Sequence, residues 1–285
     1  MNLAFINWNP NPDIFSIADD VWLVGGLTVR YYGLLFAGAF FFGYLVMSRI
    51  FKKENMEDKQ MERLTIYMAI GTIIGARLGH CLFYQPGYYF SHPLEILKIW
   101  EGGLASHGGA FGILTALYIF SKKAKKPYIW ILDRIVIVVA LAGLFIRSGN
   151  LMNSEIVGKA SSLPWAFYFP RNDCPPPWDC DLSTIDARHP AQLYEALAYF
   201  VIFIVLFFLY HKRNYGNKPG ILFSIFLISL FSVRFLVEFI KDIQVKFESN
   251  MIINMGQILS IPFILFGAGL LIWSVRKQKT KEVST

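Results

Sequence analysis

Seven blocks of almost unbroken apolar residues run along the chain, at about 31–50, 64–84, 103–120, 128–148, 191–210, 220–240 and 255–275. Each is near the roughly 20 residues a helix needs to cross hydrocarbon. Runs such as Val201-Ile202-Phe203-Ile204-Val205-Leu206 are apolar at every position, whereas strands of a membrane barrel alternate. In lipid, each segment must satisfy its own backbone polar groups, so the blocks are predicted to be helices. The expected fold is all-α: a polytopic integral membrane helical bundle of about seven transmembrane helices. The third block is the shortest and is rich in glycine.

Composition agrees. Only 16% of the residues are charged and 55% are hydrophobic, against roughly 25% charged in an ordinary soluble domain. A net charge of +7 would raise the question of nucleic acid in a soluble chain. Here the basic residues gather between apolar blocks and form no charged, aromatic face, so no nucleic-acid partner is expected. Arg49, Lys52, Lys53, Lys59 and Arg63, then Lys122, Lys123, Lys125 and Lys126, then Lys212, Arg213 and Lys218, then Arg276, Lys277, Lys279 and Lys281 fall on alternate flanks. The other flanks hold fewer, so the first set is expected to be cytoplasmic. That puts the N-terminus outside, the C-terminus in the cytoplasm and the segment 149–190 outside. The expected organisation is a single membrane domain over 1–285 with an external loop or small head at about 149–190. Residues 1–27 lack a basic start and a compact apolar stretch, so the first span is expected to direct insertion itself. Cys174 and Cys180 sit in the proposed outer loop; a disulfide is chemically compatible with that side, and the spacing leaves the pairing open.

A charged side chain deep in a bilayer costs at least about 2.5–3.5 kcal/mol on insertion scales, so each one needs a reason. This chain carries Arg77 and His80 in the second block, His107 in the third, Arg147 closing the fourth, and Arg234 and Glu238 in the sixth. Tyr32 stands near the start of the first. In the predicted orientation all of them fall in the outer half, with His107 roughly 6 Å below the outer edge and Arg234 about 9 Å from the end of its helix. One polar cavity opening toward the outer leaflet would collect them. Structural alternatives stand beside this reading. Glu238 follows Arg234 by four residues, so an ion pair within one helix competes with a role at the site. Arg77 can equally snorkel toward headgroups. His80 and the pair Asp133-Arg134 read as structural or interfacial.

Two stretches carry the densest signals. Gly102-Gly103-Leu104-Ala105-Ser106-His107-Gly108-Gly109 surrounds a histidine with glycines, which permit unusual backbone angles and close approach of a helix or ligand. A loosened helix start there would offer N–H groups to an anion; tight packing through Gly108 and Gly112 is the alternative. Gly71, Gly75 and Gly79 read as a packing face. Arg147-Ser148-Gly149-Asn150-Leu151-Met152-Asn153-Ser154-Glu155 sets an arginine, two amides and a carboxylate where a span meets the outer surface. Arginine binds phosphate bidentately and keeps its charge, so Arg147 and Arg234 together suggest a phosphate-bearing lipid.

The stretch from Arg147 to Gly158 resembles the signature of the prolipoprotein diacylglyceryl transferase family. So do Gly102 to Gly109, Arg188-His189-Pro190-Ala191-Gln192-Leu193-Tyr194-Glu195, Met255-Gly256-Gln257-Ile258-Leu259-Ser260, Tyr31-Tyr32-Gly33 and Arg234-Phe235-Leu236-Val237-Glu238. The similar stretches stand in the family's order and cover nearly the whole chain. Ile146 and Ser154 stand where the family usually has glycine, and Leu230 where some members have tyrosine.

The resemblance implies an enzyme of the bacterial cytoplasmic (inner) membrane, with its site toward the outer leaflet. Its partners would be phosphatidylglycerol, the prolipoprotein signal peptide with its lipobox cysteine, and membrane lipids. The diacylglyceryl group moves to the cysteine thiol, a thioether forms and glycerol phosphate leaves; no metal or organic cofactor is implied. His107 is the candidate base, since a free thiol has a pKa of about 8.5 and an imidazole titrates at about 6.5. Arg147 and Arg234 are expected to hold the phosphate and favour the leaving charge. Candidate substrate-binding residues are Tyr32, Arg77, Gly103, Gly108, Asn150, Asn153, Glu155, Gly158, His189 and Glu238. A lipid or anion transporter would also need polar groups in the cytoplasmic half, which is nearly apolar apart from Asp133 and Arg134. A structural assembly factor would account for the glycine faces but not for the arginines.

Overall fold

Long apolar runs leave the backbone no partner but itself, and the helices follow them closely. The computed structural model describes residues 5–16, 28–99, 102–242, 251 and 253–283. In chain order it contains strands β1 (Ile6–Asn7), β2 (Asp13–Ser16) and β3 (Thr28–Arg30), then helices α1 (Tyr31–Lys53), α2 (Asp58–Phe83), short α3 (Pro86–Ser91), α4 (Ser106–Lys123) and α5 (Tyr128–Met152). Strand β4 (Phe167–Tyr168), short α6 (Pro170–Asp173), α7 (Ala191–Lys212), α8 (Ile221–Val237) and α9 (Met255–Val283) complete it. The fold is all-α, as expected, and every apolar block of the sequence lies on a helix.

Among the described residues five helices, α1, α2, α5, α7 and α9, are long and apolar enough to cross a membrane. The other two blocks form shorter helices, α4 of 18 residues and α8 of 17. The start of α4 falls at Ser106 because Gly102 and Gly103 take φ of +87° and +69°, in the left-handed region that ends regular helix. Lysines close α1 (Lys52, Lys53), α4 (Lys122, Lys123) and α7 (Lys212), where they complement the helix dipole. An aromatic ring sits beside one of these cations and beside a lysine of α9: Lys122 lies 5.2 Å from the Tyr118 ring centre and Lys277 4.7 Å from that of Trp273.

The chain divides into two compact units, residues 44–135 and residues 1–43 with 136–285. In the smaller, the two glycine series face each other. A Cβ on Gly79 would lie 2.6 Å from the Gly108 Cα, and one on Gly75 would lie 2.8 Å from the Gly112 Cα. Thus α2 and α4 touch backbone to backbone, the close approach that small residues permit in lipid. Arg134, 1% exposed, is matched inside this unit by Glu54 at 2.5 Å and lies 3.9 Å from the centre of the Trp130 ring.

In the larger unit α8 packs on α9, where the Phe231 and Phe263 rings stack at 4.3 Å. A reciprocal cap starts α9: the Gln257 N–H donates to Asn254 Oδ1 at 2.9 Å and the Asn254 N–H to Gln257 Oε1 at 3.2 Å. Beyond α5 the chain builds a small head. Leu151, Val157, Phe167 and Phe169 form its core, with Trp8 and Leu193 packed against them. β1 pairs in parallel with β4, and the Trp8 indole donates to the Leu151 carbonyl at 2.8 Å. The head therefore draws on the N-terminal segment as well as on 149–190. Cys174 and Cys180 are joined, with Cα atoms 6.2 Å apart.

Replacing Gly75 with alanine would press a methyl between two helix backbones that have no slack. Overpacking of this kind costs about 1–3 kcal/mol. Thermal unfolding of the purified protein in detergent should show a lowered midpoint for Gly75→Ala. Gly33→Ala, whose Cβ would meet nothing within 4 Å, should leave the midpoint where it is.

Candidate active site

Arg147 lies in the last two turns of α5, and Glu195 in the first two turns of α7. A carboxylate in an apolar helix is costly unless paired. Glu195, its side chain 1% exposed, meets Arg147 Nε at 2.9 Å, and the Tyr199 hydroxyl one turn along donates to its other oxygen at 3.2 Å. Arg147 keeps 14% of its side-chain surface, so the pair is not sealed on the arginine side. Two glycines of α5 make room around it. A Cβ on Gly143 would lie 2.7 Å from the Tyr199 ring, and one on Gly149 would lie 2.7 Å from the Tyr32 ring.

The network continues past the end of α5. Arg147 Nη1 donates to Asn150 Oδ1 at 3.2 Å, and Asn150 Nδ2 donates to Glu155 at 2.8 Å. Asn153 Nδ2 donates to the same Glu155 oxygen at 3.2 Å. Asn150 thus turns one face to the cation and the other to the carboxylate. Glu155 is held between Ser154 and Ile156, both left-handed at φ +53° and +63°. A β-branched residue rarely takes that conformation, and strain of this kind persists only where the surroundings enforce it. The carbonyl of Glu155 accepts from Gln192 Nε2 at 2.7 Å, which ties the corner to α7.

Arg234, on α8, is half-buried and acts electrostatically on the Tyr199 hydroxyl. The ion pair with Glu238 that the spacing allows is not formed. Helix α8 ends at Val237, and Glu238 turns instead to Lys241 Nζ at 2.9 Å and Asn254 Nδ2 at 3.1 Å. Its carboxylate rests on the first turn of α9, where Gly256 offers no side chain to displace it. Arg234 makes no ion pair among the described residues.

The head holds Gly158 and His189. Gly158 is pinched at a backbone crossing, where a Cβ would lie 2.6 Å from that of His189 and 2.8 Å from the Ile240 carbonyl. His189 Nδ1 lies 3.3 Å from the Tyr194 hydroxyl, which also accepts from the Trp165 indole at 2.9 Å. Partial burial lowers the His189 pKa below its ordinary value. Next to it, Arg188 binds Asp173 at 2.9 Å and Asp242 at 2.8 Å. Burial opposes its charge, and the two carboxylates outweigh that and raise its pKa.

In the smaller unit, His107 is the second residue of α4, exposed, with its ring centre 5.5 Å from Phe83 and 5.8 Å from Tyr84. His80 stacks on the same tyrosine at 5.4 Å. Gly108 belongs to the glycine contact with α2. Gly103 lies against His80 and Arg77, and Arg77 is 4% exposed with its guanidinium directed at backbone carbonyls. Sequence reasoning did not assign Glu195, Tyr199 or Gln192. The available signal was a single acid inside an otherwise apolar block, with a tyrosine one turn further on.

These features define a polytopic membrane protein with a charged site set among its apolar helices. The profile of the family described as prolipoprotein diacylglyceryl transferase matches residues 20–273. A Bacteroides fragilis protein named phosphatidylglycerol–prolipoprotein diacylglyceryl transferase is 43% identical, covering 98% of this chain and 99% of its own length. Proteins of the same name from Chloroherpeton thalassium and Tolumonas auensis are each 42% identical, over 99% and 95% of this chain and 98% of their own. The chain belongs to the prolipoprotein diacylglyceryl transferase family.

Removing one partner of a buried ion pair costs about 3–5 kcal/mol, against about 0–1 kcal/mol for an exposed pair. Glu195→Gln should therefore lower the unfolding midpoint far more than Asp13→Asn, which breaks the exposed Arg30–Asp13 pair. The pH dependence of the head has a definite sign. Folding lowers the His189 pKa, so the unfolded chain binds more protons in that window. The stabilisation is complete above the unfolded value of about 6.5 and is lost as pH falls through the folded value. Hydrogen-exchange protection at residues 157–168, taken relative to the intrinsic rate at each pH, should fall on going from about pH 7 to about pH 5.5, and His189→Gln should flatten that response.

Proposed function

We propose that this protein transfers the diacylglyceryl group of phosphatidylglycerol to the lipobox cysteine thiol of a prolipoprotein signal peptide. The observation that carries the reading is identity above 40% across almost the full length of relatives that share one name. The thiolate attacks the glycerol carbon that bears the phosphate ester. A carbon–sulfur bond forms, the carbon–oxygen bond breaks, and glycerol phosphate leaves with the electron pair. His107 takes the thiol proton; its exposed imidazole at the start of α4 suits that task. Arg147 and Arg234 hold the phosphate and favour the charge that develops on it. Glu195 and Tyr199 orient Arg147 from behind, Asn150, Asn153 and Glu155 from in front, and Tyr32 lines the site. A low-dielectric surrounding strengthens each of these contacts.

The reading places the protein in the bacterial inner membrane with the head outside the cytosol. The joined Cys174 and Cys180 support that side, because disulfides persist in oxidising compartments. The lysine-rich ends of α1, α4 and α7 support the opposite side as cytoplasmic.

Purified protein, phosphatidylglycerol and a synthetic lipobox peptide should yield a peptide heavier by one diacylglyceryl group, and a Cys→Ser peptide should not change. His107→Gln should lower kcat by about 100-fold or more with lipid affinity little changed, the range that general bases supply. Arg147→Ala should weaken both. No mass gain from folded protein with several anionic lipids would refute the reading, and near-normal turnover of His107→Gln would refute the assignment of the base.

A further inference from the structure

Arg77 carries a permanent charge inside an apolar helix and is only 4% exposed. Such a charge needs partners, and among the described residues none is a carboxylate: the side-chain hydrogen bonds there all go to backbone carbonyls. Nε donates to Ile96 at 2.9 Å and Nη2 to Glu95 at 2.5 Å. On the other side of the fork, Nη1 donates to Gly102 at 2.6 Å and approaches Gly103 at 3.5 Å. The Tyr89 ring covers the guanidinium, with its centre 5.1 Å from Cζ. One planar fork therefore joins the segment at 95–96 to the glycine turn at 102–103.

The neighbouring residue of α2 holds the next link. The Ala76 carbonyl accepts the N–H of Ala105, the residue that precedes α4, at 2.9 Å. Two successive residues of α2 thus grip the chain at 102–103 and at 105, and His107 follows two residues later on a rigid helix. Gly103 completes the fit: at φ +69° a Cβ there would lie 2.8 Å from Arg77 Nη1 and 2.7 Å from the His80 ring. Lysine carries its donors on a single nitrogen and lacks the planar fork that spans carbonyls on both sides.

We infer that Arg77 is a positioning residue for His107: it fixes the turn at Gly102–Gly103 and so sets where the first turn of α4 presents the imidazole. With four of its five N–H donors directed at carbonyls and its surface covered, Arg77 acts through the backbone and does not bind the lipid phosphate. The inference rests on the transferase reading for what His107 does, but the clamp itself can be measured apart from activity.

The test compares the full chain with Arg77→Lys, Arg77→Ala and Gly103→Ala in phosphatidylglycerol nanodiscs, with lipobox peptide as acceptor. Arg77→Ala should lower kcat by about tenfold or more while KM for the lipid changes by less than about threefold, and added methylguanidinium should restore part of kcat. Arg77→Lys should fold and show the same split more mildly. Hydrogen exchange, read without any turnover, should rise at residues 102–107 in all three variants and stay at the parent level in 191–237. A raised KM with unchanged kcat would overturn the proposal in favour of direct phosphate binding. Unchanged exchange at 102–107 in folded Arg77→Lys and Arg77→Ala would overturn the clamp. If the parent protein itself forms no lipidated peptide, the transferase reading fails, and the exchange result still decides the clamp.

Discussion

The pairing of Arg147 with Glu195 is the interaction on which the larger unit depends. Neither charge is tolerable alone among the apolar side chains of α5 and α7, and together they lock the register of the two helices. Much of the neighbourhood follows from that contact. Gly143 and Gly149 admit the tyrosine rings beside the pair, Asn150 passes the charge outward, and the corner at 153–156 bends sharply to bring Glu155 back to the amides. An arginine backed by a fixed carboxylate is pre-organised, so its remaining donors meet an anion without reorganisation.

Arginines set among these helices are stabilised in three ways. Arg134 has a carboxylate and an indole face, Arg147 a carboxylate and an amide, and Arg77 only carbonyls and a tyrosine. The differences bear on function. Arg77 is buried and gives its hydrogen bonds to carbonyls of its own chain, whereas Arg147 retains exposed surface. Arg234, without an ion pair among the described residues, is the most available of the cations considered for phosphate.

The helices were legible because lipid allows an apolar run few other structures. Their contacts were less so. Both glycine series were visible in the sequence, but nothing in the spacing said that Gly75 would meet Gly112. The potential pair of Arg234 and Glu238 did not form: Glu238, still helical as the cap of α8, gives its carboxylate to Lys241 and Asn254 instead. The role of Glu195 was not legible, because it depends on a partner 48 positions away on another helix. The contribution of β1 to the head was unreadable, since two residues carry no periodicity. Individual polar residues announced themselves; which ones share a hydrogen bond was decided by helix ends and turns.

The central claim is that Arg147 and Arg234 hold the phosphate of phosphatidylglycerol. Solid-state NMR on protein with nitrogen-15 arginines, in phosphatidylglycerol bilayers, measures it directly through dephasing of guanidinium signals by phosphorus-31. The account predicts dephased signals of which one is lost in Arg147→Lys and another in Arg234→Lys, while both persist in Arg77→Lys. Dephasing that is absent in the parent protein, or unchanged by either of the first two substitutions, would contradict it.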